Sequence, residues 1–235
     1  MADSLEKLPR ASALQSLHRI FFLVFLLAFG ATFILIASGF SSPLYYPLLI
    51  VLLLATLATT LLSLAQSLPA QNILTVAILI AFLSSVVEMM NLKTHFPFGH
   101  RDWTNDLGPR LFHTLPWPLP LIWIIVLLNS RGAARAVLGF LPNFRCFGLW
   151  WLALGSIFAA IFAISFEHFA AANHLWLWPD AKVAPWYNFL GYGLVSAVAL
   201  VLITPWLINK KPGPKLPPDY TSLIVWFLLQ LLLAI

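Results

Sequence analysis

The sequence predicts an all-α fold: a polytopic integral membrane helical bundle of about seven transmembrane helices, with the N-terminus cytoplasmic. Three observations carry this. Of the 235 residues, 61% are hydrophobic and 9% charged, with a mean hydropathy of +0.91, whereas about a quarter of a soluble domain is charged. The apolar residues fall in runs of about 20, the length needed to cross a hydrocarbon core. The basic residues are unevenly placed between those runs. One set of loops holds Lys7, Arg10, Arg19, Arg131, Arg135, Arg145, Lys210, Lys211 and Lys215, and the other holds Lys93, Arg101, Arg110 and Lys182. By the positive-inside rule the richer set is cytoplasmic. The same distribution accounts for the net charge of +5 as topology, with no nucleic-acid partner.

The spans are expected at roughly 19–40, 43–66, 72–92, 115–131, 147–170, 187–208 and 221–235. The first is too long for a signal-peptide core and has no cleavage site, so it reads as a retained anchor. Residues 1–18 before it read as a cytoplasmic or interfacial tail. The second and third are unbroken Leu, Ile, Val and Ala runs. The fourth is shortened by Pro118 and Pro120, which suit a helix entrance. The fifth follows Cys146, the sole cysteine; no intrachain disulfide is possible, and Cys146 reads as a small packing residue. The sixth ends before Lys210 to Pro218, a stiff Pro-rich connector. The seventh is short and reads as tilted or partial. Arg131, Arg135 and Arg145 are expected on inner-leaflet phosphates. Residues 19–235 thus form a single transmembrane domain, multi-pass in a bacterial or archaeal cell membrane.

One stretch breaks the apolar pattern. Between Glu88 and Pro120 lie one Glu, two Asp, three His, one Lys and two Arg. Ionisable groups at membrane depth are costly and mark functional sites. Topology puts Glu88, Asp102, Asp106, Glu167 and Asp180 on the outer side, with His95, His100, His113, His168 and His174. Residues 85–123 and 164–192 should therefore surround one polar-floored pocket opening to lipid near the outer leaflet.

Each group has a bland and a chemical reading. Glu88 shares a helical face with Ser84 and Ser85. It either snorkels and pairs with Lys93, or it does chemistry. Glu167 follows Ser165 in the same manner. Two such carboxylates at matching depth point to chemistry, because a low-dielectric site keeps at least one as a neutral acid. The His spacings, five between His95 and His100 and six between His168 and His174, do not match a helix-face metal pair, so no metal is expected. Interfacial bonding to loop carbonyls is the alternative. Trp103, Trp117, Trp123, Trp176, Trp178 and Trp186 suit an aromatic belt and also a pocket for a long isoprenoid, whose carbocation aromatic faces would stabilise. A faint two-fold pattern relates span three, loop, span four to span five, loop, span six.

These residues resemble a known family. Glu88, Lys93-Thr94-x-Phe96-Pro97-Phe98-Gly99, Thr104, Leu107-Gly108-Pro109, Pro120 and Trp123 resemble the first signature of the membrane carotenoid biosynthesis family. That family includes bisanhydrobacterioruberin hydratases and gamma-carotene and lycopene 1,2-hydratases. Glu167, Ala170, Trp176-x-Trp178 and Pro185-x-x-Asn188-Phe189-Leu190-Gly191 resemble its second signature. The resemblance covers roughly residues 80–195. Arg101-Asp102-Trp103, His168 and Tyr192 depart from it.

The resemblance implies a carotenoid 1,2-hydratase that adds water across the terminal double bond of an acyclic carotenoid through a tertiary carbocation, with no cofactor. It implies Glu88 and Glu167 as the acid–base pair, with Asp102 and Asp106 in reserve. Lys93 beside Glu88 favours Glu88 as base and Glu167 as acid. Lys93, Phe96, Phe98, Trp103, Trp123, Trp176, Trp178, Trp186 and Asn188 are the expected substrate-binding residues. The partners are a carotenoid or other long isoprenoid and membrane lipid; the oligomeric state is open. A non-catalytic isoprenoid-binding or transport protein and a metal-dependent membrane oxygenase are the rival readings.

Overall fold

A computed structural model describes residues 7–39, 43–139, 147–180, 183–208 and 220–235. Cys146, Arg145, Lys182, residues 1–6 of the expected tail and the whole Pro-rich connector lie outside the described residues. Seven helices follow in order: α1 (Lys7–Ala37), α2 (Tyr45–Ala65), α3 (Ala70–Thr94), α4 (Pro118–Leu138), α5 (Phe147–Ala172), α6 (Trp186–Ile203) and α7 (Thr221–Leu233). Six are long and apolar enough to cross a membrane. The seventh has 13 residues, about 20 Å at 1.5 Å per residue, which is short of a full crossing.

Two boundaries differ from expectation. Helix α1 starts at Lys7, so most of the expected tail is helix. Pro9 falls in the first turn, where its missing N–H breaks no bond, and nothing from Ala11 to His18 stops the helix. Helix α4 starts at Pro118, at the helix entrance as expected, but runs to Leu138 and carries Arg131 and Arg135 inside it.

Helix α4 is the axis of the bundle. Its spanning segment is 72% buried, against 17–33% for the others, and it packs on α2, α3, α5, α6 and α7. A buried helix must place its polar groups on partners. Asn129 donates to Thr60 Oγ1 at 2.9 Å and to Ile125 O at 2.8 Å, which ties α4 to α2. Arg131 was expected on lipid phosphates, and the structure corrects this. Its guanidinium is buried over the Trp151 ring at 4.1 Å and donates to Leu207 O at 3.2 Å. The Trp151 indole N–H in turn donates to Arg131 O at 2.9 Å. Stacking on Trp151 and a carbonyl partner let this cation stay inside the protein.

Small residues allow a close contact between α4 and α7. A Cβ on Gly132 of α4 would lie 2.3 Å from Ser222 Cβ of α7, so α7 docks only because Gly132 has no side chain. Gly132→Ala is expected to lower the thermal unfolding midpoint in detergent by several degrees, the scale of a 1–3 kcal/mol overpacking cost. Ser222→Gly in that background should recover most of the loss, because it removes the clashing atoms.

Candidate functional site

The two polar stretches meet at one end of the bundle. Helices α3 and α5 each stop by turning into the left-handed region on a His: His95 at φ 60° and His174 at φ 53°. His is among the side chains that tolerate this conformation. Glu88 and Glu167 each precede their His by seven residues, so both carboxylates come off the penultimate turns of their helices at matching depth.

Backbone pairing then locks the loops together. Strand β1 (Asp102–Trp103) pairs antiparallel with β4 (Trp176–Leu177), Asp102 opposite Leu177 and Trp103 opposite Trp176. Strands β2 (Arg110–Leu111) and β3 (Leu115–Pro116) form a hairpin. The all-α expectation omitted these ribbons. Their pairing gives partners to backbone N–H and C=O groups at Trp103, Leu115, Pro116 and Trp176, which are buried. Thr104 adds to the seam: its N–H donates to Leu175 O at 3.1 Å and its hydroxyl to His174 O at 2.7 Å.

The Phe96-Pro97-Phe98-Gly99 turn is held from both sides. Asn91 on α3 accepts from Phe98 N–H at 2.8 Å and donates to Gly99 O at 3.0 Å. Gly191 on α6 lets the turn touch bare backbone, since a Cβ there would lie 2.6 Å from Pro97 O. Gly99 itself sits at φ 103°, where other residues are strained.

The clamped turn delivers Arg101 into the core, 1% exposed. Its guanidinium forms an ion pair with Glu88 Oε2, donates to Tyr192 Oη at 2.8 Å and lies 3.5 Å from Glu167 Oε1. Glu88 and Glu167 are 1% and 3% exposed. Trp123 donates its indole N–H to Glu88 Oε1 at 3.0 Å. Glu167 accepts from Trp176 at 2.8 Å, Trp178 at 3.3 Å and Asn188 at 3.0 Å. Four rings surround the cation: Trp103 at 4.5 Å, Phe98 at 5.0 Å, Trp176 at 5.2 Å and Tyr192 at 5.8 Å. Burial alone would push the Arg101 guanidinium down; Glu88, Tyr192 and Glu167 more than reverse this and hold it above its ordinary value.

The structure thus gathers Glu88, Glu167, Phe98, Trp103, Trp123, Trp176, Trp178 and Asn188 around Arg101, a residue that the sequence marks as a loop charge and a departure from the family signature, with no role in the site. It corrects the expected pairing of Glu88 with Lys93: Lys93 is exposed, whereas Glu88 is buried on Arg101. It also turns ring faces expected to serve a carbocation onto the protein's own guanidinium. Phe96 and Trp186 are exposed, Trp186 at 72%, and stand away from the cluster's core. Asp102 and Asp106 are exposed. His100 bonds Asp180 Oδ2 at 2.7 Å, with Asp102 at 4.0 Å and the His95 ring at 4.2 Å. His168 bonds the Ile164 carbonyl at 2.8 Å. Among the described residues no three His, Cys, Asp or Glu side chains converge as metal ligands.

The expected polar-floored pocket is two cavities, and neither glutamate lines them. A cleft of about 450 Å³ lies between α2, α4, α5 and α7 and is capped by the loop Asn105–Pro109, so that Asp106 stands at its rim. A chamber of about 20 Å³ lies deeper, against Trp123 and Tyr192. Arg101 and its rings fill the space in front of the carboxylates.

Arg101→Met takes the counter-charge from the buried carboxyl pair. The expected loss is about 3–5 kcal/mol, read as the thermal midpoint in detergent. Glu88→Gln combined with Arg101→Met should be more stable than Arg101→Met alone, because the carboxylate that Arg101 paired is gone.

Residues 45–235 match the family described as "Carotenoid biosynthesis protein". A curated relative, the bisanhydrobacterioruberin hydratase of Haloarcula japonica, is 27% identical over 120 residues, covering 49% of this chain and 39% of that protein. No solved structure matches. With the family match running through both polar stretches and every helix from α2 to α7, the chain belongs to the carotenoid biosynthesis protein family.

Proposed function

We propose that this membrane protein adds water across the terminal double bond of an acyclic carotenoid, with the Glu88–Arg101–Glu167 cluster as its acid–base centre. The observation that carries the reading is that one guanidinium serves two buried carboxyl groups. Burying a net charge is expensive, and the cluster is neutral when one of the two carboxyls holds a proton. Arg101 is ion-paired to Glu88, so Glu167 is the proton carrier and Glu88 the carboxylate. The buried Asn188 Oδ1 has no partner among the described residues. A turn of the Asn188 amide, whose O and N assignment is interchangeable, would set that oxygen against Glu167 Oε1 as an acceptor for such a proton.

The chemistry balances without a redox partner. Neither glutamate lines a cavity, so the Arg101 side chain and its rings must shift before the alkene π pair takes the Glu167 proton at the less substituted carbon, leaving a tertiary cation at the other. Water attacks that cation, and its surplus proton passes to Glu88. Proton return through the Arg101-bridged cluster resets the pair. General acid–base catalysis of this kind contributes about 10²–10⁴-fold per group. The distant likeness to a hydratase supports the reaction class.

A second reading rests on Asp106, the carboxylate at the rim of the large cleft. There Asp106 would protonate the alkene and the buried cluster would only hold the fold. Expression in lycopene-producing cells decides between them. The wild-type chain is expected to yield a product heavier by one water, with its oxygen drawn from labelled water. Glu167→Gln should insert normally and abolish the product, while Asp106→Asn should keep at least a third of it. The opposite pattern selects Asp106; an unaltered carotenoid in the wild type supports a binding protein.

A further inference from the structure

The cleft and the chamber share a wall. Ile122 of α4 and Phe162 and Phe166 of α5 face both cavities. On the outer side the cleft is almost wholly apolar, and Tyr46 and Ile50 at its margin are exposed, so it opens toward lipid. Its 450 Å³ is the size of a site for an elongated small molecule. Its one charged lining residue, Asp106, stands at one end beside Asn105. On the inner side the chamber is walled by Trp123, Phe162, Phe166 and Tyr192. Trp123 is bonded to Glu88, and Tyr192 to Arg101. At about 20 Å³ the chamber is close to the volume of one water, so a larger guest must displace some of the wall.

Resting on the hydration reading above, we propose that the cleft binds the chain of a linear isoprenoid, and that its terminal isopropylidene group passes the Ile122–Phe162–Phe166 wall into the aromatic chamber. Trp123, Phe162, Phe166 and Tyr192 line the place where a tertiary cation would form, and Trp123 holds the Glu88 carboxylate. Of the four rings around Arg101, Tyr192 is the one that also lines the chamber. The wall sets specificity: a flat, acyclic end can push aside a pair of Phe side chains and an Ile, and a cyclised end group is too wide.

The test uses the full chain in lipid nanodiscs with lycopene as the probe. With Cys146→Ser as background, Leu53→Cys places a thiol in the cleft wall. Saturating lycopene is expected to slow its reaction with a small thiosulfonate at least fivefold, and to do so equally in the Glu167→Gln variant. Leu53→Trp should cut lycopene retention at least fivefold. Ile122→Trp, which thickens the wall, should retain lycopene but reduce the water adduct at least tenfold. A folded Leu53→Cys protein that labels at the same rate with and without lycopene overturns the cleft. An Ile122→Trp variant that makes adduct at the wild-type rate overturns the passage. Protection without any adduct in the wild type leaves the cleft standing and removes the hydration reading, so the two failures are separate.

Discussion

One positive charge, on Arg101, sits in a membrane protein's interior between two carboxylates, and the loops at that end of the bundle are built to keep it there. An isolated guanidinium or carboxylate at this depth would cost many kcal/mol in lost hydration. Here the guanidinium pairs with the carboxyl groups, whose oxygens also accept from Trp123, Trp176, Trp178 and Asn188. The Asn91 clamp, the bare backbone at Gly191 and the β1–β4 ribbon all fix the Phe-Pro-Phe-Gly turn that aims Arg101 inward. Remove the charge balance and these contacts have nothing to position.

The same arrangement divides the aromatic residues by task. Phe98, Trp103, Trp176 and Tyr192 surround the guanidinium, where each ring face adds about 0.5–2 kcal/mol to a desolvated cation. Tyr192 also reaches the chamber beneath, beside Trp123, Phe162 and Phe166. One tyrosine therefore touches both the charge cluster and the space through which an apolar end group would approach it. Its phenol oxygen takes a hydrogen bond from Arg101, so the two residues form a bonded pair in this chain.

Much of this was legible in the sequence. The apolar runs located the spans, and the Lys and Arg asymmetry sorted the polar groups onto one end, so the meeting of residues 85–123 with 164–192 followed from topology alone. What stayed hidden was set by tertiary contact. Arg101 looks like any loop charge until the turn before it is clamped, and Lys93 looks closer to Glu88 because sequence distance cannot show which way α3 ends. Arg131 read as a headgroup ligand, yet Trp151 lies twenty residues on and supplies the stacking face that keeps it inside. The left-handed His at the end of each site helix does leave a signal: His95 and His174 stand at the same spacing from the two glutamates. The short ribbons leave none, since two residues are too few for a period.

The most direct measurement is the coupling between Glu88 and Glu167, which meet through Arg101. Thermal or denaturant unfolding of Glu88→Gln, Glu167→Gln and the double variant, in one detergent, gives it. Either single change leaves Arg101 one carboxylate; both together strand the buried cation. The double loss should therefore exceed the sum of the singles by at least about 1 kcal/mol. Losses that add within about 0.5 kcal/mol, the behaviour of independent sites, would contradict a shared charge at the centre of this protein.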